Sequence, residues 1–265
     1  MTWDFVSIEK QGGVAVVAFD RGDGVNAMSM KLARELTAAA HQLYDDLETH
    51  AVVLTGRGKG FCAGRDLRDP EITARTAGPM LARRHLGGDG WRLCKAWEEL
   101  EQFTIAAVEG FAVGGGLALA LATDWRVSAD GAHWRAPEIA LGLSMSWGSI
   151  PRLVNLVGPA RAKQILLMAN DRIPTADGLA WGLLQDVVPD GKAEAAAIAW
   201  AEKVAAMPPF PARMTKKTVN AYANALSSLA VHMDTEEILL SEHTADHREA
   251  VDAFFARRPP VFRGA

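Results

Sequence analysis

The chain has 265 residues, 49% of them hydrophobic and 23% charged, with a formal net charge of −4. That length and balance suit a soluble globular protein of one large domain or a domain with an appendage, and they give no whole-chain attraction to nucleic acid or anionic lipid. Two cysteines, Cys62 and Cys94, and seven scattered histidines offer neither a disulfide framework nor a metal-ligand spacing.

The first residues, MTWDFVSIEKQGG, lack a basic region followed by an apolar one, so no secretory signal is read and a cytoplasmic location is the default expectation. Residues 5–10 and 13–20 read as two strands joined by a turn at Gln11-Gly12-Gly13. From Ser29, a plausible N-cap, apolar residues recur at three and four, which predicts an amphipathic helix. AVVLTG (51–56) reads as a short buried strand running into the glycine-rich GRGKGFCAG. Residues 70–102 look mostly helical, with a looser stretch at Gly87-Gly88-Asp89-Gly90. TIAAVEG (104–110) is a further buried strand, followed by Gly114-Gly115-Gly116 and a helix, and DWRVSA (124–129) is another strand. Strands alternating with helical stretches predict parallel crossovers in an α/β fold. Beyond Pro151 the pattern turns helical, with one strand candidate near residue 187, and Pro208, Pro209 and Pro211 mark a hinge between a core of residues 1–207 and a helical region of residues 208–265.

Several short motifs fail on inspection. GRGKGFCAG has Phe61 where a dinucleotide fingerprint needs its third glycine, and Gly60 after Lys59 leaves a P-loop without its hydroxyl. GLSMS (142–146) ends in serine and is no nucleophile elbow. What remains is a pair of loops, each following a buried strand and tipped with small residues, where main-chain N–H groups can approach a ligand closely. Two amides converging on one oxygen would form an oxyanion hole.

VNAM (25–28), AVVLTGRGKGFCAGRDL (51–67), TIAAVEGFAVGGGLALALATDWRVSA (104–129), APEIALGL (136–143), VGPARAKQILLM (157–168), GLAWGLLQDVV (178–188) and RRPPVFRG (257–264) occur in this order along the chain. Together they resemble the enoyl-CoA hydratase/isomerase, or crotonase, family. The resemblance implies a spiral of repeated ββα units with a helical C-terminal oligomerisation region, a homotrimer or homohexamer, and an acyl-CoA substrate whose coenzyme A is no separate cofactor. It implies that the N–H groups of Ala63 and Gly115 hold the thioester oxygen, with Ala27, Arg65, Asp66 and Gly114 along the substrate path. Arg21, Lys59, Arg65 and Arg68 are candidate partners for the CoA phosphates.

The family's hydratases use two glutamates. This chain has Ala118 at the first position and keeps the second as Glu138 in Pro137-Glu138. One carboxylate facing an enolate suits proton shuttling, so the resemblance favours double-bond isomerisation. Glu138 is then expected to carry a raised pKa; an ordinary role at a helix start is the alternative. A hydratase, or another lyase or hydrolase, would need a second polar group such as Ser144, Ser146 or Glu109. A non-catalytic CoA- or RNA-binding module is the alternative of another class, disfavoured by the acidic balance. Trp134 and Trp147 are candidates for an acyl pocket, with core packing as the alternative, as it is for Trp91 and Trp97. Cys62 reads as small packing, and His85, His133 and His243 as surface or packing residues.

Overall fold

The computed structural model describes residues 3–169 and 171–265. The N-terminal strands β1 (Val6–Gln11) and β2 (Val14–Phe19) form an antiparallel hairpin across a tight turn in which Gly12 takes φ +57°. Helix α1 (Met30–Tyr44) starts where expected: Ser29 accepts a hydrogen bond from the Leu32 N–H at 3.1 Å and caps it. Its apolar stripe, Leu32, Leu36, Ala39 and Leu43, is fully buried against the sheet.

Strand β3 (Ala51–Gly56) follows, then three helices, α2 (Pro70–Ala77), α3 (Met80–Gly87) and α4 (Asp89–Glu98), and β4 (Phe103–Val108). The predicted loose stretch at 87–90 is a junction of one residue, Gly88, between two helices. Short β5 (Phe111–Val113) leads into α5 (Gly115–Leu121), β6 (Trp125–Ala129) and the three-residue β7 (His133–Arg135). A single 3-10 turn, Glu138–Leu141, precedes α6 (Ser149–Leu167), which kinks at Gly158-Pro159 because proline cannot continue the hydrogen-bond ladder. Then come α7 (Thr175–Ala180), β8 (Asp186–Val188), α8 (Ala193–Ala205), α9 (Pro209–Ala223), α10 (Ser227–Val231), α11 (Asp234–Glu242) and α12 (Ala245–Ala256).

The main sheet has six strands in the order β1-β2-β3-β4-β6-β8, parallel except for the opening hairpin. Strands buried on both faces explain why residues 51–56 and 104–108 are continuous apolar runs with little alternation. A second, smaller layer joins β5 and β7 in parallel and is extended by single bridges, Met28 to Arg65, Cys62 to Ala112, and Trp134 to Ile173. Each crossover therefore gives one strand to the large sheet and a short extended piece to the small one. This is the repeated ββα spiral. The small layer was not separable in the sequence, because its pieces are too short to show a period.

The C-terminal region divides in function. Helix α9 is fixed to the core by the buried Lys216, which pairs with Asp124 at 2.6 Å and donates to the Gln102 carbonyl at 2.7 Å. Helix α12 instead folds back over the chain's own 3-10 turn, where His247 Nδ1 meets the Leu141 carbonyl at 2.7 Å, and α11 packs against α3. Among the described residues no helix is long and apolar enough to cross a membrane.

Candidate active site

The two glycine-tipped loops meet. A Cβ built on Gly64, which has φ +91°, would lie 2.8 Å from the Val113 carbonyl oxygen and 3.4 Å from the Gly115 nitrogen. A Cβ on Gly116 would overlap the Cys62 carbonyl oxygen. These glycines are required by close approach of one backbone to another, which answers what the bare main chain is for.

Each loop leaves an open amide at the cleft, and the one on the first loop is not the amide expected. The Ala63 N–H donates to the Val25 carbonyl at 3.0 Å, so it is unavailable to a ligand. Met28 N–H donates to Gly64 O at 2.7 Å, and Asp66 N–H donates to Met28 O at 3.1 Å. The amide between them, that of Arg65, has no acceptor among the described residues. Gly115 opens α5 and its N–H has no intrahelical acceptor either, whereas the Gly114 N–H is held by the Arg135 carbonyl at 2.9 Å. Among the described residues, Arg65 and Gly115 are the residues of the two loops that combine an open amide with a place on the cleft wall. The positive φ at Gly64 breaks the alternation of amide directions, and that glycine in FCAGRDL was the signal that could have marked its successor.

Both donors line one cleft of about 1250 Å³. Ala27, Ala63, Asp66, Gly114, Ala118, Glu138, Ser146 and Trp147 line it too. Pro137 and the 3-10 turn carry Glu138 to the second loop: a Cβ on Gly114 would stand 2.7 Å from Glu138 Oε1. Glu138 Oε2 is buried with no hydrogen-bond partner among the described residues. Loss of hydration pushes its pKa up from 4.5 to about 7, as expected, with its own backbone N–H and Arg135 opposing the rise. Ala118, at the position where a second carboxylate was missed, faces the cleft with a methyl group.

Trp147 and Trp134 part company. The Trp134 indole is fully buried in the core and donates to Ser128 Oγ at 3.1 Å, so it is a packing residue and is not in the cleft. Trp97 is likewise core, donating to the Leu36 carbonyl, and Trp91 lies under the Lys95 ammonium. Trp147 packs between two glycines, since a Cβ on Gly115 would lie 2.6 Å from its ring and one on Gly90 would overlap it. Of the polar groups held in reserve, Glu109 is accounted for elsewhere: it accepts from the Gly191 and Ala193 amides and caps α8. Ser144 Oγ is buried without a partner among the described residues and does not line the cleft. His133 packs beside Phe111, and Cys62 is a buried thiol pushed up to about 12 by desolvation, inert as a nucleophile.

The cations of the first loop are partly engaged. Arg21 bonds Asp66 at 2.6 Å and the Ala27 carbonyl at 2.7 Å, Arg65 bonds Glu242 of α11 at 2.9 Å, and Arg68 stands over the Phe255 ring of α12. The tail supplies cleft walls through Ile238, Ala250, Phe254, Phe255 and Phe262, none of which the sequence pattern singled out, because a tail helix carries no local mark of what it will cover. No group of three or more histidine, cysteine or acidic side chains able to hold a metal occurs among the described residues.

The sequence profile described as enoyl-CoA hydratase/isomerase matches residues 9–265. The chain belongs to this family. It is 32% identical over 254 residues to the short-chain-enoyl-CoA hydratase of Clostridium acetobutylicum, covering 96% of this chain and 95% of that one. It is 29% identical to the 1,2-epoxyphenylacetyl-CoA isomerase of Escherichia coli over 98% of this chain and 99% of the other. Among solved structures it is similar to an enoyl-CoA hydratase from Mycobacterium avium subsp. paratuberculosis, with a TM-score of 0.87, 25% identity, and coverage of 99% and 100%. The crotonase fold and the acyl-CoA chemistry of the family are thereby those of this chain, and it is an enzyme rather than a binding module.

Proposed function

We propose that the protein is an enoyl-CoA isomerase, moving a double bond between the β,γ and α,β positions of an acyl-CoA. The thioester oxygen sits between the N–H groups of Arg65 and Gly115, in place of the Ala63 and Gly115 pair first expected. Glu138, as carboxylate, takes a proton from the α-carbon, and the electron pair moves into a dienolate whose oxygen the two amides stabilise. The carboxylic acid then returns that proton to the γ-carbon, and the double bond comes to rest in conjugation with the thioester. No atom is gained or lost. Arg68 on the cleft wall offers its positive charge to the anionic CoA moiety, while Arg21 and Arg65 are held in ion pairs with Asp66 and Glu242.

One observation carries this reading: a buried carboxyl with an unpartnered oxygen stands beside the second amide loop, while the position of the family's other glutamate is the methyl of Ala118. Syn addition of water needs one group to activate it and another to handle the proton, and where the family's hydratases carry their other glutamate this chain offers the methyl of Ala118. The hydratases among the relatives favour the second reading, hydration with help from Ser146 on the cleft wall.

The test is turnover of a 3-enoyl-CoA and a 2-enoyl-CoA by the wild type and Glu138→Gln. Isomerisation of the first substrate, slowed about 10²–10⁴-fold by the substitution with little change in binding, is the expected result. Faster hydration of the second substrate than isomerisation of the first would overturn it.

A further inference from the structure

Trp147 is held in an unusual way. Its φ is +62°, a left-handed conformation that costs a bulky residue about 1–3 kcal/mol and persists only where the surroundings fix it. Both ends of the residue are fixed. Its N–H donates to Asp234 Oδ2 at 2.6 Å, and the Gly148 N–H donates to the same oxygen at 3.3 Å. Its carbonyl accepts from Arg152 Nη1 at 2.7 Å, and Arg152 is itself doubly bonded to Glu98 at 2.8 and 2.9 Å. Asp234 opens α11, so the clamp comes from the tail, 87 residues further along the chain.

What the clamp holds is the indole edge, placed where a side chain on Gly115 would be. Gly90 at the start of α4 leaves room on the ring's other side. The ring therefore stands within one side chain's reach of an open amide, and it is part of the cleft wall.

We propose that Trp147 is the specificity-determining wall for the acyl group at its α-carbon, and that Asp234 is the positioning residue that sets it. A thioester whose oxygen meets the Gly115 amide has its α-carbon next to this rigid ring. Acyl groups that are flat and unbranched there fit beside the indole face; a methyl branch on the α-carbon meets the ring edge. This inference rests on the reading that Gly115 receives the thioester oxygen, and it does not need Glu138 to act.

The experiment is calorimetric binding of three esters or fragments that cannot isomerise: butyryl-CoA, 2-methylpropanoyl-CoA and CoA itself. Wild type is expected to prefer butyryl-CoA to its branched isomer. Trp147→Ala should shrink that preference about tenfold or more, the scale of one misplaced methyl group, while CoA binds as before. Asp234→Ala should move the preference in the same direction, and Asp234→Asn, which keeps an acceptor for the two amides, should retain it. If Asp234→Ala does not fold, Asp234→Leu keeps a similar side-chain volume without any acceptor and reads the same ratio. An unchanged ratio in Trp147→Ala overturns the wall. Equal weakening of all three ligands on loss of the Asp234 acceptor reduces that residue to a structural brace and overturns the positioning role. Failure of isomerase activity alone, with these ratios as expected, counts against the proposed reaction and leaves this inference standing.

Discussion

Burial of the Glu138 carboxyl has two measurable consequences at the scale of one residue. The base form is the carboxylate, so kcat/KM for isomerisation should rise with pH and level off above about 7, the value to which desolvation pushes this group. A pH profile flat from 5 to 9 would contradict that assignment. The same shift acts on stability. Its folded pKa lies above the ordinary 4.5, so between roughly those two values the folded chain binds more proton than the unfolded one. Stability therefore falls as pH rises through this window, by about 3 kcal/mol when complete. Glu138→Gln removes the charge, and its melting temperature should exceed that of the wild type above pH 7 and converge with it towards pH 4.

At the scale of elements, the joint between the two loops is made by backbone approaching backbone. Gly64 has a positive φ and a carbonyl 2.8 Å from where its Cβ would be; Gly12 has a positive φ and nothing within 4 Å. Both glycines suit the left-handed region, but only one also fills a tight gap. Gly12→Ala should cost about 1 kcal/mol, the backbone term alone. Gly64→Ala should cost about 1–3 kcal/mol more through forced displacement, and it should weaken acyl-CoA binding by moving the Arg65 amide away from that of Gly115. Equal losses in urea melts would mean that the loops have slack between them.

Across the whole molecule, the helical region serves two surfaces. Helices α11 and α12 close the cleft, and the segment around α9 and α10 presents Phe210, Tyr222, Leu226 and Leu229 at 71–87% exposure. Four large apolar side chains on one region of the tail form the kind of surface that a partner copy covers. The homotrimeric or homohexameric assembly inferred from the resemblance is our proposal for what covers it. Leu226→Asp with Leu229→Asp should shift the mass measured by light scattering to that of a single chain, because charged groups at an interface core lose hydration without gaining partners. A wild type that is already monomeric would remove the proposal.

The sequence by itself determined the alternation of buried strands and helices, the helix cap at Ser29 and the two small-residue loops, because each is written in local patterns: buried runs, apolar spacing, a capping hydroxyl, consecutive glycines; the spiral came from the family resemblance those loops carry. The resemblance also pointed to Glu138 and to Ala118 in place of a carboxylate, through motif positions that are local too. Which amide stays open was decided by tertiary structure: Ala63 and Arg65 are equally plausible donors in FCAGRDL, and only pairing with Val25 and Met28 separates them. The same holds for the tryptophans. Trp134 and Trp147 have the same side chain and read alike in sequence; one is enclosed by the small sheet, and the other is turned into the cleft by a left-handed backbone that Asp234 and Arg152 hold. Contacts between residues far apart in the chain leave no periodicity or motif, so a clamp reaching from α11 to residue 147 exists only once the chain has folded.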